Sequence, residues 1–190
     1  MNPEIKPQNL SNNHKGLEMY FSPEIAEKFA ELEQNEKNFK VAQIVDTMLL
    51  QESADMKAPI YSAELGGGAH PDRYDKFFSK LINEGGHMDW VDISPIMLEL
   101  AKKYISNEKY QNRKKIITFV KSEILEYLRG LENEKLDLAI MKYTIDHIDN
   151  LEELFALLSV KLAKGGKLIA TIGNMSPELK SYSTNARFLY

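Results

Sequence analysis

Four places in this sequence join a chemically useful residue to the end of an apolar run. Glu64 stands two residues before Gly66-Gly67-Gly68. Asp92 closes the run that begins at His87, and Ile93 follows it. Ser122-Glu123-Ile124 follows a β-branched stretch, and Lys142-Tyr143-Thr144 follows the apolar run 136–141. Glycine has no Cβ, so a ligand can come close to the backbone and the turn can take positive φ. A carboxylate ending a second strand can accept both hydroxyls of a ribose. Glu123 can accept from the exocyclic amine of a purine. Glu64 places negative charge where a dinucleotide would bring its pyrophosphate, which is poor for a phosphate ligand. The same charge favours a ligand with an amine and a positive sulfur.

Taken singly, these signals are weak. The glycine run continues as Ala69-His70, not as a full G-x-G-x-x-G, and a tight strand-to-helix turn would also explain it. Asp92 before Ser94-Pro95 would also suit a helix cap. The order of the set along alternating elements carries the weight.

Those elements are legible. Ser22-Pro23-Glu24 opens a helix: a capping hydroxyl, a proline at the first position and an acid at the positive end of the dipole. Helices are predicted over 22–34 and 36–52. From residue 60 strand and helix alternate: strand 60–64, a helix opened by Pro71, strand 87–93, a helix opened by Ser94-Pro95, strand 115–120, a helix over 123–131, and strand 136–141. A helix starting at Asn150, with Glu153 three residues on, closes at Gly165-Gly166 before strand 167–172. Strands separated by helices demand right-handed crossovers and a parallel sheet covered on both faces. The expected fold is a doubly wound, mainly parallel α/β sheet of Rossmann-like type. Three segments are expected: a flexible lead-in over 1–16, N-terminal helices over 17–56 that cover the site, and the α/β domain over 57–190.

Composition narrows the chemistry. The chain has 190 residues, 43% apolar and 27% charged, with net charge −4. No broad basic surface points to nucleic acid or an anionic membrane. There is no cysteine, so disulfides, zinc thiolates and thiol catalysis are excluded within it, and with four histidines no metal site is expected. No signal peptide or membrane span is read, and a cytoplasmic location is expected.

At this point the chain resembles the class I S-adenosylmethionine-dependent methyltransferases, over roughly residues 58–172. Glu64-Leu65-Gly66-Gly67-Gly68 looks like the family's first motif. Val91-Asp92-Ile93-Ser94-Pro95-Ile96-Met97-Leu98 looks like its second and is the most specific piece. Phe119-Val120-Lys121-Ser122-Glu123 resembles the third, with Glu123 where Asp is more usual. Leu136–Ile140 through His147-Ile148 resembles the fourth strand and its exit, and Leu162–Leu168 the turn into the fifth. The resemblance implies S-adenosylmethionine as cofactor. Glu64 would orient the methionine amine; Gly66, Gly67 and Gly68 would line the cofactor; Asp92 would hold the ribose, with Ile93 against adenine. Glu123 would meet the adenine amine, Ile124 the ring's other face, and Lys142-Tyr143-Thr144 the methionine end and the acceptor. Two departures stand out. His70-Pro71 replaces a further small residue, so His70 either meets the methionine carboxylate or caps the next helix, the cap being preferred. The family's last strands, an antiparallel hairpin, do not fit into 173–190, so the sheet is expected to fall short of them.

The implied activity is methyl transfer, an in-line displacement in which alignment does most of the work. Tyr143, Asp146 and His147 are the candidates for shaping the acceptor pocket or taking a proton. A small-molecule acceptor is preferred, since no Asn-Pro-Pro-Tyr-like segment follows the fourth strand. Met19, Tyr20 and Phe21 belong either to a lid or to the core. Two rivals stay open: a nicotinamide oxidoreductase, opposed by Glu64, and a non-catalytic binding protein or homodimer joined through an open sheet edge.

Overall fold

The computed structural model describes residues 22–33 and 36–171, and the backbone of 186–189. The expected lead-in 1–16 and the lid candidates Met19, Tyr20 and Phe21 lie outside these residues. Helices α1 (Pro23–Glu33) and α2 (Glu36–Glu52) come first. Then follow β1 (Tyr61–Leu65), α3 (Asp75–Glu84), β2 (His87–Asp92), α4 (Pro95–Tyr104) and β3 (Ile117–Lys121). The series ends with α5 (Ile124–Gly130), β4 (Leu136–Lys142), α6 (Leu151–Lys161), β5 (Leu162–Thr171) and β6 (Ala186–Leu189). The strand order is β3-β2-β1-β4-β5-β6, and every pairing is parallel. The order reverses between β1 and β2 on one side and β4 on the other. That switch point is where an open α/β sheet leaves its crevice.

The sheet divides the core in two because successive side chains point to opposite faces. Met88, Trp90, Leu138, Ile140 and Ile169 face one core with Val45 and Leu49 of α2 and Phe77, Phe78 and Leu81 of α3. Ala63, Leu65, Val91, Ala139 and Met141 face the other, against Ile124 and Leu128 of α5 and Leu154 and Leu158 of α6. Phe77 and Phe78 are fully buried, each contributing roughly 1.5–3 kcal/mol by leaving water.

Several local expectations change. Pro71 opens only a 3-10 turn (Pro71–Arg73), because Tyr74 (φ −102, ψ 56) leaves the helical region before α3 begins at Asp75. Tyr74 offers no side-chain cap to α3. Asp46 of α2 takes that place, accepting from Lys76 N at 3.1 Å and Phe77 N at 2.8 Å. At the other end, α6 stops at Lys161, and Gly165-Gly166 lies inside β5 rather than closing the helix. A Cβ on Gly166 would sit 2.8 Å from the Leu136 carbonyl, so this stretch runs too close to β4 for a side chain. The sheet also gains a sixth strand, β6, parallel to β5. Among the described residues, no helix is long and apolar enough to cross a membrane.

Candidate cofactor-binding site

The glycine turn leaves β1 and is fastened to the end of β2 by four hydrogen bonds. Gly66 N and Gly67 N both donate to the Val91 carbonyl, at 2.8 and 2.9 Å. Gly68 N donates to Asp92 Oδ2 at 2.8 Å, and Trp90 Nε1 donates to the Gly68 carbonyl at 2.9 Å. The other oxygen of Asp92 accepts from Ser94 N at 2.8 Å. Ser94 in turn caps α4 by accepting from Met97 N. The Asp92 carboxylate is therefore aimed by backbone amides on both sides, and it remains partly exposed.

The glycines answer to different neighbours. Gly66 has φ +80, and a Cβ there would meet Thr144 Cγ2 at 2.3 Å. Gly67 would put a Cβ 2.3 Å from Trp90 Nε1. Gly68 has φ +62. At positions 66 and 67 the absence of a side chain is thus already required by the protein's own packing. The sequence offers ligand approach or a tight turn as reasons for these glycines; the contacts with Thr144 and Trp90 are a further one.

Glu64 is fully buried on the same sheet face as Trp90, its partner in register, and Tyr74 Oη donates to it at 3.3 Å. Ile93 is half-buried beyond Asp92. His70 neither caps the following turn nor faces open space. It is 3% exposed, with Nε2 2.8 Å from the Ala30 carbonyl of α1, Nδ1 3.3 Å from Asp72, and its ring 4.4 Å from that of Tyr104. The preferred cap is replaced by a tie between the loop and α1, forty residues back. Glu123 does cap α5, accepting from Glu126 N at 2.9 Å, and Ile124 is taken up by the core beneath that helix.

Across the switch point, Tyr143 has φ +56, a left-handed backbone uncommon for a residue with a side chain. Its N–H is held by Thr171, 2.9 Å from Oγ1. Burial pushes the Tyr143 phenol above its ordinary value. Lys142 and Thr144 flank it half-buried, and Thr144 Oγ1 reaches the carbonyls of Lys142 (3.1 Å) and Gly66 (3.4 Å). Asp146 and His147 are exposed on the 3-10 turn that follows. The structure thus brings Glu64, the glycines, Asp92 and Thr144 together, while Asp146 and His147 stand at the rim.

Trp90, Tyr74 and Thr171 escaped sequence reasoning. Trp90 was findable: it shares strand parity with Asp92, so both lie on the face that meets the glycine turn.

Residues 73–170, more than half of the chain, match the family described as "Methyltransferase domain". The chain belongs to the class I S-adenosylmethionine-dependent methyltransferases. This methyltransferase domain is 27% identical to mouse (Mus musculus) arsenite methyltransferase over 108 residues, which covers 55% of the chain and 28% of that protein. It therefore spans less than a third of that relative's length. Among solved structures, it is similar to a proposed S-adenosyl-L-methionine-dependent methyltransferase from Methanococcus maripaludis, with 19% identity, TM-score 0.59, and coverage of 86% of this chain and 69% of that one. A methyltransferase from Aquifex aeolicus aligns at 19% identity with TM-score 0.50, covering 75% and 68%. At these identities the likeness is one of fold.

Proposed function

We propose that the domain binds S-adenosylmethionine across the carboxyl ends of β1 and β2, beside the switch point, and directs its methyl group to a small-molecule acceptor beside Tyr143. The observation that carries this reading is the Asp92 carboxylate, fixed by Gly68 N and Ser94 N at the end of β2. That carboxylate suits the two ribose hydroxyls. The buried Glu64 carboxylate suits an ammonium and disfavours a pyrophosphate, which counts against a nicotinamide dinucleotide. Ile93 offers an apolar edge to the adenine, and Glu123 keeps acceptor capacity beside its capping bond.

When bound, S-adenosylmethionine supplies an electrophilic methyl on a positive sulfur. The chain's own contribution is alignment and exclusion of water, which can lower such a barrier by up to roughly 7–11 kcal/mol. A phenol is protonated at neutral pH and burial raises that of Tyr143 further, so it orients an acceptor as a donor and does not take its proton. Where the acceptor must lose a proton, Asp146 and His147, exposed on the turn after β4, are the candidates to receive it. These 190 residues do not themselves point to the acceptor of the arsenite methyltransferases. Arsenic(III) is a soft centre suited to thiolates, and these 190 residues contain no cysteine. Pairing of two copies along an open edge, such as that of β3, belongs to the same reading. Size-exclusion with light scattering tests it, and a monomer at high concentration would refute it.

Calorimetric titration with S-adenosylhomocysteine, with NAD as control, tests the cofactor. Saturable binding of the first and none of the second is expected. Absence of S-adenosylhomocysteine binding, or tighter binding of NAD, would overturn the reading.

A further inference from the structure

Trp90 is the only tryptophan in the chain and is 1% exposed. A buried indole N–H needs an acceptor. Here that acceptor is no helix or strand carbonyl but Gly68 O, in the turn that faces the proposed cofactor. The next peptide link back completes the grip, because Gly68 N is bonded to Asp92. Both polar groups of Gly68 are thus held by side chains of β2 two residues apart. The indole also fills the space that a Cβ on Gly67 would need. Its ring stands 6.3 Å from that of Tyr74, whose hydroxyl reaches Glu64. One aromatic side chain therefore contacts the turn, holds its carbonyl, and stands in register with Glu64 and two residues before Asp92.

We propose that Trp90 is a positioning residue for the cofactor: its indole N–H sets the glycine turn in the shape that receives S-adenosylmethionine, and the indole senses its arrival. The inference rests on the reading above. Without the N–H, the Gly68 carbonyl loses its anchor, the amide bonded to Asp92 can rotate, and part of the binding free energy goes into re-forming the turn. A single hydrogen bond of this kind corresponds to a change of about tenfold in affinity. The loss should be greater for ligands that use the whole turn than for those that use only the adenosine end.

The test uses three proteins: the natural chain, Trp90→Phe, and the chain with benzothienylalanine at position 90, which swaps only the indole N–H for sulfur. Calorimetry gives Kd for S-adenosylhomocysteine and for 5′-methylthioadenosine, which lacks the amino acid. Tryptophan emission of the natural chain is followed in the same titrations. S-adenosylhomocysteine should weaken about tenfold in both variants, with a smaller loss for methylthioadenosine. The emission should change saturably with the calorimetric Kd. Should Trp90→Phe not fold, the isosteric analogue decides. Unchanged affinity in the analogue, equal losses for the two ligands, or emission blind to the ligand would each overturn the proposal while leaving the cofactor reading intact. Failure of the natural chain to bind S-adenosylhomocysteine removes both.

Discussion

Strand β2 carries two aspartates three residues apart that the structure treats in opposite ways. Asp89 points to the α5–α6 face and is 6% exposed. Its carboxylate accepts from Tyr61 Oη and Tyr127 Oη, both at 2.7 Å, and lies 3.1 Å from His87 Nε2. Burial, reinforced by the bonds to Asp89, drives both phenols far above their ordinary value, so they remain donors throughout the usable pH range. Asp92 lies on the opposite face at the strand's end, half-exposed and oriented by backbone amides. A buried carboxylate surrounded by side-chain donors holds elements together. A rim carboxylate aimed by the main chain is oriented at the strand's end, where a ligand can reach it. Residue type alone does not separate the two roles; the origin of the donors does.

Substitution should separate them cleanly. Asp89→Ala leaves two half-buried phenols without their shared acceptor and should cost about 3 kcal/mol in chemical denaturation. The folded fraction should bind S-adenosylhomocysteine with unchanged Kd. Asp92→Ala should show the reverse: affinity down about 100-fold or more by calorimetry, from two charge-assisted bonds, and only a modest loss of stability. An Asp89 variant that folds well but cannot bind, or an Asp92 variant that binds normally, would collapse the distinction.

This contrast marks where the sequence is readable. Caps at Ser94 and Asn150 act within three residues and could be seen from spacing, whereas Glu123, which caps α5, reads in the sequence only as a ligand contact. So could the parallel sheet, from strict alternation, and Asp92, from its place after an apolar run. Partners far apart in the chain could not: His70 with Ala30, Thr144 beneath Gly66 across 78 residues, or Trp90 with Gly68. Each depends on how β1, β2 and β4 lie side by side, which no local pattern records. The acceptor end was least legible because Tyr143, Asp146 and His147 are individually common residue types after a strand.

Asp46 extends the comparison to a third carboxylate, one that caps a helix from a different element. Its two amide bonds to α3 predict a loss of about 1–2 kcal/mol in Asp46→Ala. Burial raises its carboxyl above the ordinary 3.8, and the amide bonds offset this only in part. The folded state therefore holds the proton more tightly than the unfolded one. That contribution is present below the unfolded value and is lost as pH rises through the folded one. The penalty of Asp46→Ala should accordingly be larger at about pH 3 than at about pH 7. Denaturation at both values checks this, and an opposite trend would assign Asp46 to the lowered class.

The smallest effect expected lies across the switch point, where a backbone, not a carboxylate, departs from the ordinary. Tyr143 sits at φ +56 with its N–H held by Thr171. Tyr143→Gly and Tyr143→Ala delete the same phenol, so their difference isolates the backbone. In an ordinary site alanine is the more stable by roughly 0.5–1 kcal/mol, because glycine loses more freedom on folding. At a left-handed position the Cβ penalty of roughly 1–2 kcal/mol should reverse that order. Glycine more stable than alanine at 143 would mean that the fold spends conformational energy to hold a phenol beside the crevice, as residues under strain at functional sites do. Alanine the more stable would remove that argument for Tyr143, and the search for the acceptor pocket would move to the rim at Asp146 and His147.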